Sequence, residues 1–282
     1  MDPTELIIPL LGLGGAVLSG TFALLSRRAE QRFAIERESS RELAISVARQ
    51  RDVLQQSIEP LLYAASDLQS RIYNILEGEF LQTHAAHSNV RWSRNAVEYT
   101  CFLFAQYFGW AESIRQAALF RESAELVPAR GANDRDDAAL TIAGILREVG
   151  DALRTDAYGT GFMLFSGDQH AIGELMFSWD PVSGGRSPKV MRFATFSERF
   201  ADPAFRQWFD PIVEELEPDG VSADAARRLA VVQRLLVDLM DTLDPYHAVY
   251  KRRRKVEEPM DAPAGRAPTP LADAQPGEEA RV

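Results

Sequence analysis

Cysteine is nearly absent: one residue, Cys101, in a chain of 282. A single thiol excludes an intrachain disulfide framework. It lies in "EYTCFLFAQYFGW", where the setting is that of a small buried hydrophobe rather than a reactive thiol. No His or Asn around it marks out a thiol-protease pattern. Basic charge is also in short supply, with 31 Lys and Arg against 41 Asp and Glu and a net charge of −10. Non-specific nucleic-acid binding needs a basic surface that releases counterions, so nucleic acid is not an expected partner. The chain carries no phosphate loop, HExxH, paired CxxC, GxSxG or kinase signature. No catalytic residue, cofactor or metal is therefore assigned.

Charge is missing altogether from "LIIPLLGLGGAVLSGTFALL", Leu6–Leu25. Twenty such residues, at about 1.5 Å rise each, span a hydrocarbon core of roughly 30 Å. A cleaved signal peptide would need a basic leader. The leader is instead the acidic "MDPTE", and the first basic residues arrive in "SRRAEQR" from Arg27. The positive-inside rule then places the amino terminus outside and the remainder in the cytoplasm. Gly12, Ala16 and Gly20 recur every four residues, as do Gly15, Ser19 and Ala23. Small residues at this interval let two membrane helices approach, which suggests a homodimer face. Membrane helices also accept glycine without dimerising, so both readings stay open. The "GLGG" is not a dinucleotide loop, because no strand precedes it and it would lie in lipid.

What is present beyond residue 26 is mainly α. Residues 27–59 are polar and free of glycine and proline, as a stalk helix would be. Phe33, Val47, Leu54, Leu61, Leu68 and Ile75 share one heptad phase that Ser40 interrupts. The companion phase is poor, so the stalk can zip in a dimer or lie against the domain. From Pro60, "PLLYAASDLQSRIYNIL" opens a cytoplasmic helical domain over residues 60–255, with proline in a favourable first turn. "VEYTCFLFAQYFGWAESIRQAALF" holds the charge-free run Tyr99–Ala111, too short for a bilayer and suited to a central core helix. "DRDDAALTIAGILREVGDALRT" and "VSADAARRLAVVQRLLVDLMDTLDP" are amphipathic helices, the second capped by Ser222 or Asp224 and stopped by Pro245. "GTGFMLF" and "KVMRFATF" have some strand character, and "SWDPVSGGRSPK" (178–189) reads as a loop. "ADPAFRQWFDPIVEELE" suggests two short helical pieces hinged at Pro211. Residues 256–282, rich in Pro, Ala, Gly and acid, have the composition of a disordered tail. The bundle is thus one of four parts: anchor (1–26), stalk, domain and tail.

Three constellations could carry chemistry. Asp238, Asp241 and Asp244 in "DLMDTLDP" are spaced by three, as carboxylates sharing a Mg²⁺ ion with a phosphorylated ligand would be. Pairing with Arg71, Arg234 or "KRRRK" at 251–255 is the structural alternative. Asp67, Arg71 and Asn74 follow i, i+4, i+7 and form a polar ladder beside an apolar stripe, either a register-fixing network or the floor of a ligand pocket. In "FSGDQHAIGELM", Ser166 or Asp168 can cap a helix, and Ser166 with Gln169 fits a capping box. His170 and Glu174 stand one turn apart but lack further ligands for a metal, as do His84 and His87. Glu174 on a core-bound helix is expected to join the Arg71–aspartate network. Tyr107, Phe108, Trp110, Trp208 and Phe209 read as core. "KRRRK" can touch anionic lipid.

With "DLQSRIYNIL", "AQYFGWAESIR", "DQHAIGELM" and "LLVDLMDTLDP" following an anchor, the chain resembles a group of bacterial membrane-anchored helical proteins that has no assigned activity. The resemblance implies an inner-membrane context and no chemistry. Together these readings describe a single-pass, membrane-tethered interaction or scaffold module, with lipid, a second copy and an unidentified protein as partners. The alternative is a Mg²⁺-dependent or phosphorylated-ligand-binding protein that uses the aspartates with Arg71.

Overall fold

Residues 52–77 form one uninterrupted helix, α1, whose buried positions Val53, Ser57, Leu61, Ala64, Leu68, Ile72 and Ile75 recur every three or four residues. The computed structural model describes residues 37, 38, 41, 44, 45, 48, 49, 52–85, 87–124, 134–183, 187–216 and 219–250, with the backbone alone at 117–124, 134–140 and 183. The candidate membrane span Leu6–Leu25, its Gly12–Ala16–Gly20 face, the "KRRRK" run and the tail lie outside the described residues. Pro60 falls inside α1 and does not start a helix. The missing N–H of a proline forfeits one intrahelical bond, yet packing on both sides holds the helix together. Ser57 Oγ donates to the Val53 carbonyl at 2.8 Å and shares a 2.8 Å hydrogen bond with Ser113 Oγ. Packing of α1 therefore begins by Val53.

After Gly78 and Glu79 comes α2, Phe80–His84, and then α3, Val90–Ala124. Helix α3 is the centre of the molecule: Cys101 to Ala105, Tyr107 and Phe108 are all buried. Among the described residues no helix is long and apolar enough to cross a membrane, and α3 is a core helix as its composition predicts. Helices α4 (Asp134–Arg154) and α5 (Ser166–Met176) flank it. Gly173 of α5 lies against α3 so closely that a Cβ there would stand 3.1 Å from the Phe108 carbonyl oxygen and from Glu112 Cβ. A hydrogen on Cα is what allows the two helices to touch.

After α5 a small hairpin pairs β1, Phe177–Trp179, with β2, Pro188–Val190, antiparallel and with Phe177 opposite Val190. The stretch read as a loop, 178–189, thus gives Ser178, Trp179, Pro188 and Lys189 to the strands, and the connection between them is shorter. "GTGFMLF" holds neither strand and forms turns, with Phe162 at φ 57°. "KVMRFATF" gives only its first residues to β2 before α6, Phe193–Phe200, begins. Then come α7 (Pro203–Arg206), one 3-10 turn and α8 (Asp210–Val213), where Pro211 occupies the first helical turn and is no hinge. Phe196 meets Phe102, Phe200, Phe205 and Phe209 with ring centroids 5.3–5.4 Å apart. This phenylalanine cluster fixes α6–α8 against α3, at spacings where edge-on rings attract. Helix α9, Ala223–Leu243, closes the bundle along α4, and of its two candidate caps Ser222 is the one used, accepting from Ala225 N–H at 3.2 Å.

Candidate functional site

At the end of α1 the Arg71 side chain leaves its own ladder and crosses to α2 and α3. Its guanidinium carbon lies 4.1 Å from the Phe80 ring centroid and 5.5 Å from that of Tyr99, and Nη1 donates to Thr100 Oγ1 at 3.2 Å. A flat, weakly hydrated cation stacks well on such faces. Burial pushes its pKa down, with Tyr99 acting in the opposite sense. Arg71, Phe80, His84, Trp92, Asn95 and Ala96 line an open cleft of about 280 Å³. His84 leans on Phe80 at 4.8 Å, and Trp92, tilted against His87 at 4.4 Å, remains half exposed at 51%.

The ladder is not brought together as its spacing suggests. Asp67 and Asn74 are exposed, and among the described residues Arg71 pairs with none of Asp67, Glu174, Asp238, Asp241 or Asp244. Partial burial raises the Asp67 carboxyl above its ordinary value. The three aspartates of α9 diverge for a geometric reason. A step of three residues falls short of the 3.6-residue turn, so each aspartate drifts round the helix from the last. Asp238 is exposed, Asp241 half-buried and Asp244 buried at 6%. Asp244 is also past the helix end, where its carboxylate accepts N–H bonds from Ala248 (2.8 Å), Val249 (3.1 Å) and Tyr250 (3.3 Å). Burial acts to raise this carboxyl, but the three N–H donors together with His247 hold it below the ordinary value. It anchors the chain turn that brings Tyr250 edge-on to Tyr63 of α1, centroids 6.0 Å apart. Among the described residues no three of His, Cys, Asp and Glu gather as a metal site would require.

The α5 stretch begins differently from its predicted cap. Phe165 is the N-cap residue, and Asp168 reaches back to accept its N–H at 3.1 Å. Ser166 Oγ accepts from Arg154 at 3.0 Å, while the Gln169 amide donates to the carbonyls of Gly150 (3.0 Å) and Leu164 (2.9 Å). Glu174 is exposed and joins no network with Arg71. Gly173 faces α3, and a neighbouring residue on a helix points about 100° away. The buried carboxylate at this interface is instead Glu112 of α3, 3% exposed. Arg115 binds it through Nε (2.6 Å) and Nη2 (2.5 Å), Gln116 adds 2.9 Å, and His170 Nδ1 stands 3.9 Å away. Its sequence signal is an acid with an arginine three residues on, inside an apolar helix.

Arg228 of α9 is the second group that sequence reasoning passed over, and it is fully buried. It lies three residues after Ala225 and four before Val232, on the apolar stripe, which is the available signal. Its guanidinium donates to five backbone carbonyls: Gly161 (2.9 Å), Ala152 (2.8 Å), Leu153 (3.1 Å), Thr155 (2.7 Å) and Gly159 (2.5 Å). It thereby caps the carboxyl-terminal end of α4, where a cation complements the helix dipole. Gly159 makes this loop possible at φ 83°, and a Cβ there would overlap the Asp224 carboxylate. Cys101 is buried, and burial pushes its thiol far up, away from the reactive thiolate.

Compared with protein-family models, curated proteins and solved structures, the chain matches none.

Proposed function

We propose that the chain is a membrane-tethered interaction module, held by Leu6–Leu25 and engaging a protein partner through the Arg71 cleft. The observation that carries this is a half-buried guanidinium, stacked on Phe80 and opening beside a half-exposed Trp92. Arginine and tryptophan dominate the energetics of protein interfaces because each combines a large apolar face with a polar edge. The occupant is an acidic segment of the partner, since the donors on the Arg71 fork beyond the Thr100 bond suit a carboxylate. The fork rests on aromatic faces and engages none of the three aspartates, which favours docking over shared metal–phosphate chemistry.

The test places a photoreactive benzoylphenylalanine at Trp92 in the full chain, expressed in bacterial cells. The expected result is a crosslink to an acidic peptide that disappears in Arg71→Gln, with the chain remaining in carbonate-washed membranes. A crosslink to this chain's own peptides would make the partner a second copy. Crosslinking unchanged by Arg71→Gln, or none at all, would overturn the docking role. Release of the chain by carbonate would overturn the tether.

A further inference from the structure

A second cleft, of about 380 Å³, lies between α3, α4 and α5 on a different part of the molecule. Its apolar wall is built from Phe108, Ala111, Ile114, Ala143 and Leu146. The size and the mostly apolar lining are those of small-molecule sites. Three guanidiniums stand around it, those of Arg115, Arg147 and Arg154, against the carboxylates of Glu112 and Asp151. Arg115 is bound to Glu112, and Arg154 to Asp151 at 2.7 Å. Arg147 is exposed and makes no hydrogen bond or ion pair among the described residues. Among the described residues that line the cleft, Arg147 is therefore the guanidinium with no ion pair, while Glu174, outside the lining, also acts on Arg115. The wall also contains Tyr107, 1% exposed, whose hydroxyl is buried with no hydrogen-bond partner. Buried hydroxyls are nearly always paired, and an unpaired one beside a cleft is a donor awaiting an acceptor.

We propose that this cleft binds a small monocarboxylate with a flat apolar body and a second polar group. The carboxylate sits at Arg147, the body lies against Ala111, Ile114 and Leu146, and the second polar group meets the Tyr107 hydroxyl. A single negative charge matches Arg147, the lining guanidinium that has no ion pair among the described residues. A dianion would have to displace Glu112 from Arg115 or Asp151 from Arg154 to balance its second charge. The site is independent of the Arg71 cleft, and either can fail without the other.

The probe is 6-hydroxy-2-naphthoate, titrated calorimetrically into the full chain in phosphatidylcholine nanodiscs, with empty discs as the blank. The expected result is saturable binding above the blank, weakened about tenfold by Arg147→Ala, as loss of a charge-assisted bond implies. 2-Naphthoate, which lacks the hydroxyl, should bind about fivefold more weakly, a net neutral hydrogen bond's worth. In Tyr107→Phe that difference should vanish, because the coupling belongs to the pair. Ala111→Trp and Ala143→Trp fill the cleft from opposite walls and should each abolish binding while circular dichroism shows the helices retained. Heat equal to the blank, equal binding of the uncharged 2-naphthamide, or a hydroxyl preference that survives Tyr107→Phe would overturn the proposal.

Discussion

The α4–α9 junction and the α1–α3 cleft each take an arginine out of water, and they treat it in opposite ways. Arg228 is enclosed at 0% exposure and spends its donors on five backbone carbonyls. Arg71 is half-buried, rests on ring faces, and makes one side-chain hydrogen bond, to Thr100. Fixed carbonyls leave nothing for a ligand, so the first arginine is committed to the fold. Aromatic faces support a cation without using its N–H groups, so the second keeps donors for something else. Burial lowers both pKa values, and only the surrounding geometry tells the two roles apart.

The largest effect should come from breaking the committed one. Arg228→Met keeps the length of the side chain but leaves the carbonyls at the end of α4 and in the 155–161 loop without their donor. Stranding buried polar groups of this kind costs about 3–5 kcal/mol. The urea midpoint of the full chain should fall accordingly, and a loss below about 1 kcal/mol would show that water replaces the guanidinium.

Asp244 is the anionic counterpart of Arg228, a charge satisfied by backbone groups, and it allows a pH test. Its folded-state pKa is depressed, so its contribution is complete above the unfolded value of about 3.9. That contribution is lost as the pH falls through the lower folded value, where the carboxyl takes up a proton. Wild type should therefore exceed Asp244→Asn in stability at pH 6, by less than the Arg228→Met loss. The gap should narrow below about pH 4. A gap independent of pH would mean that side-chain shape, not charge, holds the 248–250 turn.

How much of this was legible follows the same division. Helices α3, α4 and α9 could be read directly, because their apolar residues recur at helical spacing and face one core. Asp67–Arg71 spacing suggested a local pair, yet the side chain of Arg71 is decided by Phe80 and Thr100, which arrive from other elements. Arg228 depends on carbonyls 67 to 76 residues away, and no local pattern announces that convergence. Pro60 misled because a proline that suits a first helical turn sits inside α1, which the Ser57–Ser113 contact carries through it. Glu174 misled because one residue's difference in phase separates it from Gly173. In each case the periodicity was sound, and the error lay in which partner waited across the interface.

The smallest stability effect should come from Arg71, and its smallness is the point. A stacked, partly exposed cation contributes about 0.5–1 kcal/mol to its aromatic partners. Arg71→Gln should therefore move the urea midpoint little while removing the Trp92 crosslink. Arg71→Lys separates the two properties of the guanidinium further. It keeps the charge but replaces a planar fork with a compact, strongly hydrated ammonium that stacks poorly and cannot grip a carboxylate in two places. If the cleft recognises its occupant by bidentate geometry, Arg71→Lys should lose the crosslink almost as completely as Arg71→Gln, at unchanged stability. If charge alone suffices, the lysine variant should retain it. A stability loss as large as that of Arg228→Met would erase the contrast, because it would make Arg71 a second committed arginine rather than a receptive one.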